Sequence, residues 1–270
     1  MRYAVYRCLY GEDYIQESIK SIEKYVDKIF IFWTNKAWGD TTQVKYNNET
    51  VIFPKKFDSI IDKIKKLNNN KIIFIEAYTK APHNQLTQFI NTLLLPDYEK
   101  PDTLIIPEVD HVFRKDQIED AINQFESSTY TVATTNQIEL WKTHEYHIPK
   151  RGRKGTMFWN MKNISEFPVT DTAGDSINGQ PTLNAFNHNF GFAVSEKVMY
   201  WKHLTALAFS SVVRDSAPNP GWLDNIWKTW DLETNNKNLE ISIGAESRIP
   251  YAMKYNTSEL PEVIKEKYKL

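Results

Sequence analysis

Cysteine is nearly absent from this chain. Cys8 stands alone, so no intrachain disulfide can form, and the usage fits a reducing compartment. Glycine is scarce as well, nine in 270 residues, and neither G-x-x-x-x-G-K-[ST] nor G-x-G-x-x-G occurs. A phosphate cradle built from a Gly-rich loop therefore loses its main support. Excess charge of one sign is missing too: 33 Lys and Arg face 34 Asp and Glu. A basic surface for non-specific nucleic-acid binding is not expected. No apolar run approaches the ~20 residues that cross a bilayer, and the opening MRYAVYRCLY is too polar for a signal peptide. A cytoplasmic setting without a transmembrane segment is the expectation.

What the chain does have is a hydrophobic fraction of 41% and eight tryptophans, enough for a sizeable core. The elements alternate. Residues 3–9 (YAVYRCL) read as a strand. Asp13, with Gln16 three residues on, reads as the cap of a helix whose apolar face is Ile15, Ile19, Ile22 and Val26. KIFIFW (28–33) is a continuous apolar strand, the pattern of a sheet covered on both faces. A short strand at 50–53, a helix at 57–67, a strand at 71–75 and a helix at 83–95 follow. LII (104–106) is the next strand, and a helix capped by Asp116 comes after it. Repeated strand and helix imply an α/β fold with a mostly parallel sheet and helices on both faces. Beyond 127 the pattern predicts strands at 129–135 and 138–141, a polar irregular stretch over 142–189, a strand at 190–194 and a helix opened by Ser195. A short aromatic helix around 222–230, an edge strand at 239–243 and a terminal helix complete the reading. No linker or repeat is visible. The expectation is one domain, 1–270, with a ligand-binding half at 1–126 and a smaller mixed half at 127–270.

The chemistry concentrates in TLIIPEVDHVF, residues 103–113. A buried strand stops at Pro107 and then presents Glu108 and Asp110. Two carboxylates at the end of a buried strand are costly unless something positive binds them. A divalent cation carrying a diphosphate suits that role, because hard cations take oxygen ligands and bridge carboxylate to phosphate. In parallel sheets, ligands bind beyond the carboxyl ends of the strands. The polar segments RCLYGED (7–13) and TNKAWGDTT (34–42) end at the same rim. The basic run KRGRK, with Lys150, Arg151 and Arg153, is a candidate lid over a diphosphate or a contact for anionic lipid or a phosphorylated acceptor, and equally a solvated charge run. Trp141, Trp159, Trp222 and Trp227 are candidates for an apolar sugar platform, with core packing as the default. His111, next to Asp110, is expected to point to the opposite face.

The opening strand with Arg7 and Glu12, the helix YIQESIKSIEKYV, the strand DKIFIFW, the polar GDTT and the motif PEVDHVF together resemble the GT-A glycosyltransferases, especially family 2. The resemblance covers roughly residues 3–126 well and the rest loosely. It implies a Rossmann-like GT-A sheet and a nucleotide-sugar donor such as a UDP-, GDP- or dTDP-sugar. It also implies Mn²⁺ or Mg²⁺ at the acid motif and transfer to a glycan or other hydroxyl acceptor, with inversion at the anomeric carbon. By position, Asp110 is the metal ligand, Glu108 meets the metal through water or holds the ribose, Asp40 approaches the base, and Arg7 and Glu12 lie in the donor site. A third ligand from a downstream histidine is implied, with His188 and His203 as candidates. Glycosyl transfer also needs a carboxylate base near the acceptor, for which Asp224 and Asp215 are candidates. In this chain the motif is Glu-x-Asp rather than Asp-x-Asp. A sugar-phosphate nucleotidyltransferase and a non-catalytic carbohydrate- or nucleotide-binding module are the competing readings.

Overall fold

The sequence RYAVYRC alternates residues for two different cores. In β1 (Arg2–Cys8) Tyr3 and Val5 point to one face, and Ala4, Tyr6 and Cys8 to the other. Both faces are covered, so the strand is buried almost end to end. The computed structural model describes residues 1–8, 12–34, 42–53, 59–77, 85–149, 154–168, 180–213, 218–241 and 249–270.

From β1 the chain enters α1 (Ile15–Ile22) and returns as β2 (Lys28–Trp33), parallel to β1 with Val5 opposite Phe30. A small hairpin, β3 (Gln43–Tyr46) and β4 (Glu49–Ile52), stands outside the main sheet. Asn47 and Asn48 at its turn both have positive φ, 51° and 65°; Asn tolerates this conformation better than most residues. After α2 (Ser59–Lys65), β5 (Ile72–Glu76) adds to β2, again in parallel. The segment α3 (Gln85–Phe89), continued by a π-helical turn over Ile90–Leu94, crosses the opposite face and delivers β6 (Thr103–Ile106) alongside β1. The order in this block is β6-β1-β2-β5. The direction of strand addition thus reverses between β1 and β6, the place where open α/β sheets leave a crevice. Helices α1, α2 and α4 (Lys115–Glu126) share one apolar cluster, and α3 lies in another.

The second half does not form a separate layer. It completes the same sheet. β8 (Val132–Trp141) is ten residues long. Its first part pairs with β10 (Lys154–Asn160) and its last part with β9 (Thr143–Ile148), both antiparallel. β10 in turn pairs with β6. β11 (Thr182–Phe192) runs parallel to β8 and antiparallel to the short β7 (His111–Phe113). Because β7 follows β6 after only four residues, the ribbon β6-β10-β8-β11-β7 curls back on its own start. The interior of the curl is apolar at depth, where Phe113, Phe158, Ala133 and Ala185 meet α4. It is polar towards the rim, where Thr135, Thr156 and Asn187 lie buried. The long α5 (Glu196–Val213), β12 (Met253–Lys254) and α6 (Glu262–Tyr268) pack outside it. Among the described residues no helix is long and apolar enough to cross a membrane.

Several expectations change. The stretch 142–189 is not an irregular loop, since β9, β10 and most of β11 lie within it. Its strands were masked by polar residues that point inward: in β11 Asn187 and Asn189 are buried while Asn184 and Phe186 are not. The strands expected at 129–135 and 138–141 are one continuous strand. Asp13 does not cap α1, whose cap position is Tyr14; its carboxylate instead accepts from the Ser195 amide at 2.6 Å, where α5 begins. Asp116 lies in the first turn of α4, bound by Arg114, which holds the cap position. Residues 239–241 form no strand. All four platform tryptophans are core residues. Trp159 packs on Phe167 at 4.8 Å between ring centres, and Trp141 and Trp222 are fully buried together. Their large apolar area favours burial over an open sugar shelf.

Phe158 sits at the floor of the curl, with no exposure and its ring 5.7 Å from that of Phe125. Phe158→Ala is expected to cost about 3–5 kcal/mol. Urea unfolding should show a lowered midpoint at unchanged slope.

Candidate metal centre and polar floor

The turn between β6 and β7 is pinned from below. The Tyr6 hydroxyl bonds the Ser18 hydroxyl at 3.0 Å, and Ser18 donates to the carbonyls of His111 (2.5 Å) and Glu108 (3.3 Å). The His111 amide closes the turn on the Glu108 carbonyl, and the Phe190 amide of β11 donates to the Asp110 carbonyl. Held this way, the turn brings one ligand atom each from Glu108, Asp110 and His111 within 4.8 Å of one another. Asp110 and His111 are buried, at 3% and 4% exposure, whereas the Glu108 side chain keeps 41%.

His111 therefore turns towards the acids and not away. The strand begins only at His111, so alternation does not extend back across the turn to Asp110. Its Nδ1 lies 3.1 Å from the Thr156 hydroxyl on β10, while Nε2 has no hydrogen-bond partner and stands 3.9 Å from the Glu108 carboxylate. An imidazole whose second nitrogen is fixed by a hydroxyl is oriented in the manner of a metal ligand. The polar contacts continue inward: the Thr135 hydroxyl and the Thr156 amide both donate to Asn187 Oδ1. Gly155 leaves the space for it, since a Cβ there would fall 1.8 Å from that oxygen.

Asp110 has a second neighbour that the sequence did not suggest. Lys202 of α5 donates to Asp110 Oδ2 at 3.0 Å and to the Gly191 carbonyl at 2.8 Å. Burial pushes the Asp110 carboxyl up, but the charge and hydrogen bond of Lys202, together with His111, more than offset this. The carboxyl ends below its usual range and stays ionised. Oδ1 remains buried without a hydrogen-bond partner. In register across the sheet, His111, Asn189 and Glu139 form one row on the same face, so a further buried carboxylate, Glu139, stands two strands from His111. The signal for Glu139 was a charged residue inside the apolar strand QIELW.

The other predicted residues fall as follows. His188 projects from the face of β11 opposite to His111 and Asn189. Its Nε2 bonds the Tyr255 hydroxyl at 2.8 Å, so the structure does not bring it to the acids. His203 lies on α5 between the rings of Tyr46 and Trp222 and faces the Pro220 carbonyl, so it does not reach them either. Glu12 is ion-paired with Lys197 at 3.0 Å and ties the first loop to α5. Arg7 is the penultimate residue of β1, at the rim. Asp224 lies in a π-helical turn and is held by Tyr46, Asn47 and Lys228. The Tyr46 and Asn47 hydrogen bonds, helped by Lys228, bring its carboxyl down to about 2, which leaves it little proton affinity near neutrality. Asp40, Lys150, Arg151, Arg153 and Asp215 lie outside the described residues.

The residues present fit a divalent cation. Two carboxylates and an imidazole suit Mn²⁺, and Mg²⁺ prefers oxygen throughout. Metal–oxygen bonds of about 2.0–2.6 Å place ligand atoms roughly 3–5 Å apart, the spread seen here.

Two outcomes follow from these surroundings. Burial, foremost, brings His188 down to about 3, so the unfolded chain binds more protons between about pH 6.5 and pH 3, and stability rises with pH across that window and is lost as the pH is lowered through it. His188→Gln should flatten the pH dependence of unfolding there by up to about 1.4 kcal/mol per pH unit, read from urea titrations at successive pH values. At Gly191 a Cβ would meet Asn189 Oδ1 at 2.8 Å, Lys202 Nζ at 3.0 Å and Asp110 Oδ2 at 3.2 Å. Gly191→Ala should destabilise by about 1–3 kcal/mol through this overpacking, measured by thermal unfolding.

No family model matches the chain, and no curated protein matches it in sequence. Solved structures do. The chain is similar to S. aureus TarS 1-349, at 12% identity and TM-score 0.43, over 83% of this chain and 75% of that one. It is also similar to the inositol-1-phosphate CTP transferase from T. maritima, at 10% identity and TM-score 0.40, over 79% and 98%. A third is glucosyl-3-phosphoglycerate synthase from Mycobacterium tuberculosis in complex with Mn²⁺, UDP and phosphoglyceric acid, at 9% identity and TM-score 0.35, over 51% and 43%.

Proposed function

We propose that the chain is a transferase of GT-A type that takes a sugar from a nucleotide-sugar donor and passes it to a glycan or other hydroxyl acceptor, with a divalent cation at Glu108, Asp110 and His111. One observation carries the reading: ligand atoms of Glu108, Asp110 and His111 converge at the end of a buried parallel strand, and Asp110 and His111 each keep a buried atom, Oδ1 and Nε2, with no hydrogen-bond partner. Other buried polar atoms also lack partners, but only these two stand beside a third ligand atom, among the described residues, in an arrangement that a cation would complete.

A bound cation would supply charge neutralisation of a departing diphosphate. The chain's own residues do the rest. Ser18 and Tyr6 fix the turn. Thr156 fixes the His111 ring and thereby the direction of its free nitrogen. The basic run with Lys150, Arg151 and Arg153 is assigned to the diphosphate, and Arg7 and Asp40 to the nucleoside. The base for the acceptor hydroxyl is assigned to Asp215 or Glu139, with inversion at the anomeric carbon. Asp224, held by three donors, leaves the list.

The Lys202–Asp110 link favours one second reading, a module that binds sugar or nucleotide without a metal, because a lysine already stands where a cation is needed. Thermal unfolding with UDP, GDP or dTDP, each with and without Mn²⁺, separates the two. The transferase reading expects stabilisation by one nucleotide only when Mn²⁺ is present, about 2.7 kcal/mol at 100 times Kd. Asp110→Asn and the exposed Glu108→Ala should both lose it while still unfolding cooperatively. Metal-independent stabilisation would support the module and overturn the transferase.

A further inference from the structure

A metal site has no evident need of a lysine, yet Lys202 is built into this one. Its ammonium is fixed from two sides, by Asp110 Oδ2 and by the Gly191 carbonyl. The absence of a side chain at Gly191 is what allows the three groups to meet, since a Cβ there would crowd both charged atoms. The Lys202 side chain keeps 31% exposure against 5% for Asp110, so of the two partners the lysine is the one in contact with solvent.

We propose that Lys202 is a resident cation of the diphosphate site. It retains Oδ2 of Asp110, leaves Oδ1 with Glu108 and His111 Nε2 for the divalent ion, and makes ion and diphosphate bind as a coupled pair. The inference rests on the transferase reading above and deepens it. Its basis is a charge count. Glu108 and Asp110 contribute two negative charges and Lys202 one positive, so these three adjoining groups sum to minus one, with the buried Glu139 two strands from His111 left outside the count. A divalent ion alone meets half the attraction it would find without the lysine. Once loaded, the same site carries plus one, which repels further cations and attracts a diphosphate. Neither partner is held strongly until both are present, and by linkage each raises the affinity of the other by the same factor. The site then discriminates against free metal and metal-free anion alike.

The experiment uses the full chain and two probes, Mn²⁺ and inorganic pyrophosphate. Free Mn²⁺ is read by electron paramagnetic resonance in titrations of wild type, Lys202→Met and Lys202→Arg. Pyrophosphate binding is read by calorimetry with and without Mn²⁺, after subtracting the complex the two form in solution. Lys202→Met should bind Mn²⁺ about tenfold or more tightly than wild type and should lose pyrophosphate affinity by a similar factor in Mn²⁺. Lys202→Arg should behave as wild type. In wild type itself, each probe should tighten the other at least tenfold, a result that needs no variant to fold. Equal Mn²⁺ affinity in wild type and Lys202→Met, or independent binding of the two probes to wild type, would overturn the role of Lys202 and leave the metal centre standing. Absence of Mn²⁺ binding in all three proteins would overturn both.

Discussion

The structure turns on one buried charge. Asp110 is ionised in a place with almost no water, and everything near it is arranged to keep it so. Losing one partner of a buried ion pair costs about 3–5 kcal/mol, so the Lys202 contact is as much a constraint on the fold as on the site. It explains why α5 must dock where it does. Asp13 receives the Ser195 amide just before that helix, Glu12 holds Lys197 in its first turn, and Lys202 reaches Asp110 five residues further on. Three acids from the first and sixth strand ends thus fix one helix. The carboxylates that precede α1, Glu12 and Asp13, thus serve as docking groups for α5.

The curl of the sheet has a matching logic. A sheet whose inner face was wholly apolar would close into a sealed core. Here the inner face changes from Phe113 and Phe158 at depth to His111, Thr135, Thr156 and Asn187 nearer the rim. His111, Thr156, Asn187 and Thr135 are tied to one another in turn by hydrogen bonds, which holds the gradient in place. Thr156 links the two levels, because its hydroxyl meets His111 and its amide meets Asn187.

This gradient also decides what could be read from the sequence. Where both sheet faces meet helices, apolar runs declare themselves: KIFIFW became β2 with the bounds expected, and the acid motif at the end of TLII holds the cluster of Glu108, Asp110 and His111. Where one face of a strand carries the polar floor, the pattern inverts. THEYHI, KGTMFWN and TLNAFNHN (182–189) looked like loop because polar residues interrupt their apolar pattern, inward-facing ones in β10 and β11, yet they belong to β9, β10 and β11; only the end of β11, from 190, was read as strand. His111 was misplaced for a related reason: strand alternation was applied across a turn. Lys202 left no local signal, because its partner lies 92 positions away and only tertiary docking brings them together. The tryptophans erred in the opposite sense, their apolar area outweighing any use at the surface.

An ion pair is not by itself a closed site. One ammonium occupies one oxygen of Asp110. It does nothing for Oδ1, nor for Nε2 of His111, and each buried polar atom left unmade costs about 1–3 kcal/mol. If Lys202 and Asp110 were only a strut, the surrounding sequence could have removed that cost with a phenylalanine at 111 or an asparagine donor beside Oδ1. Instead Thr156 spends its hydroxyl on the other nitrogen of His111, which preserves the unsatisfied one and aims it at the acids. Such local conflicts persist in native proteins chiefly at working sites. The polar floor, the strapped turn and the glycine opposite the lysine together surround two buried atoms without a hydrogen-bond partner, the arrangement that the proposed cation would complete.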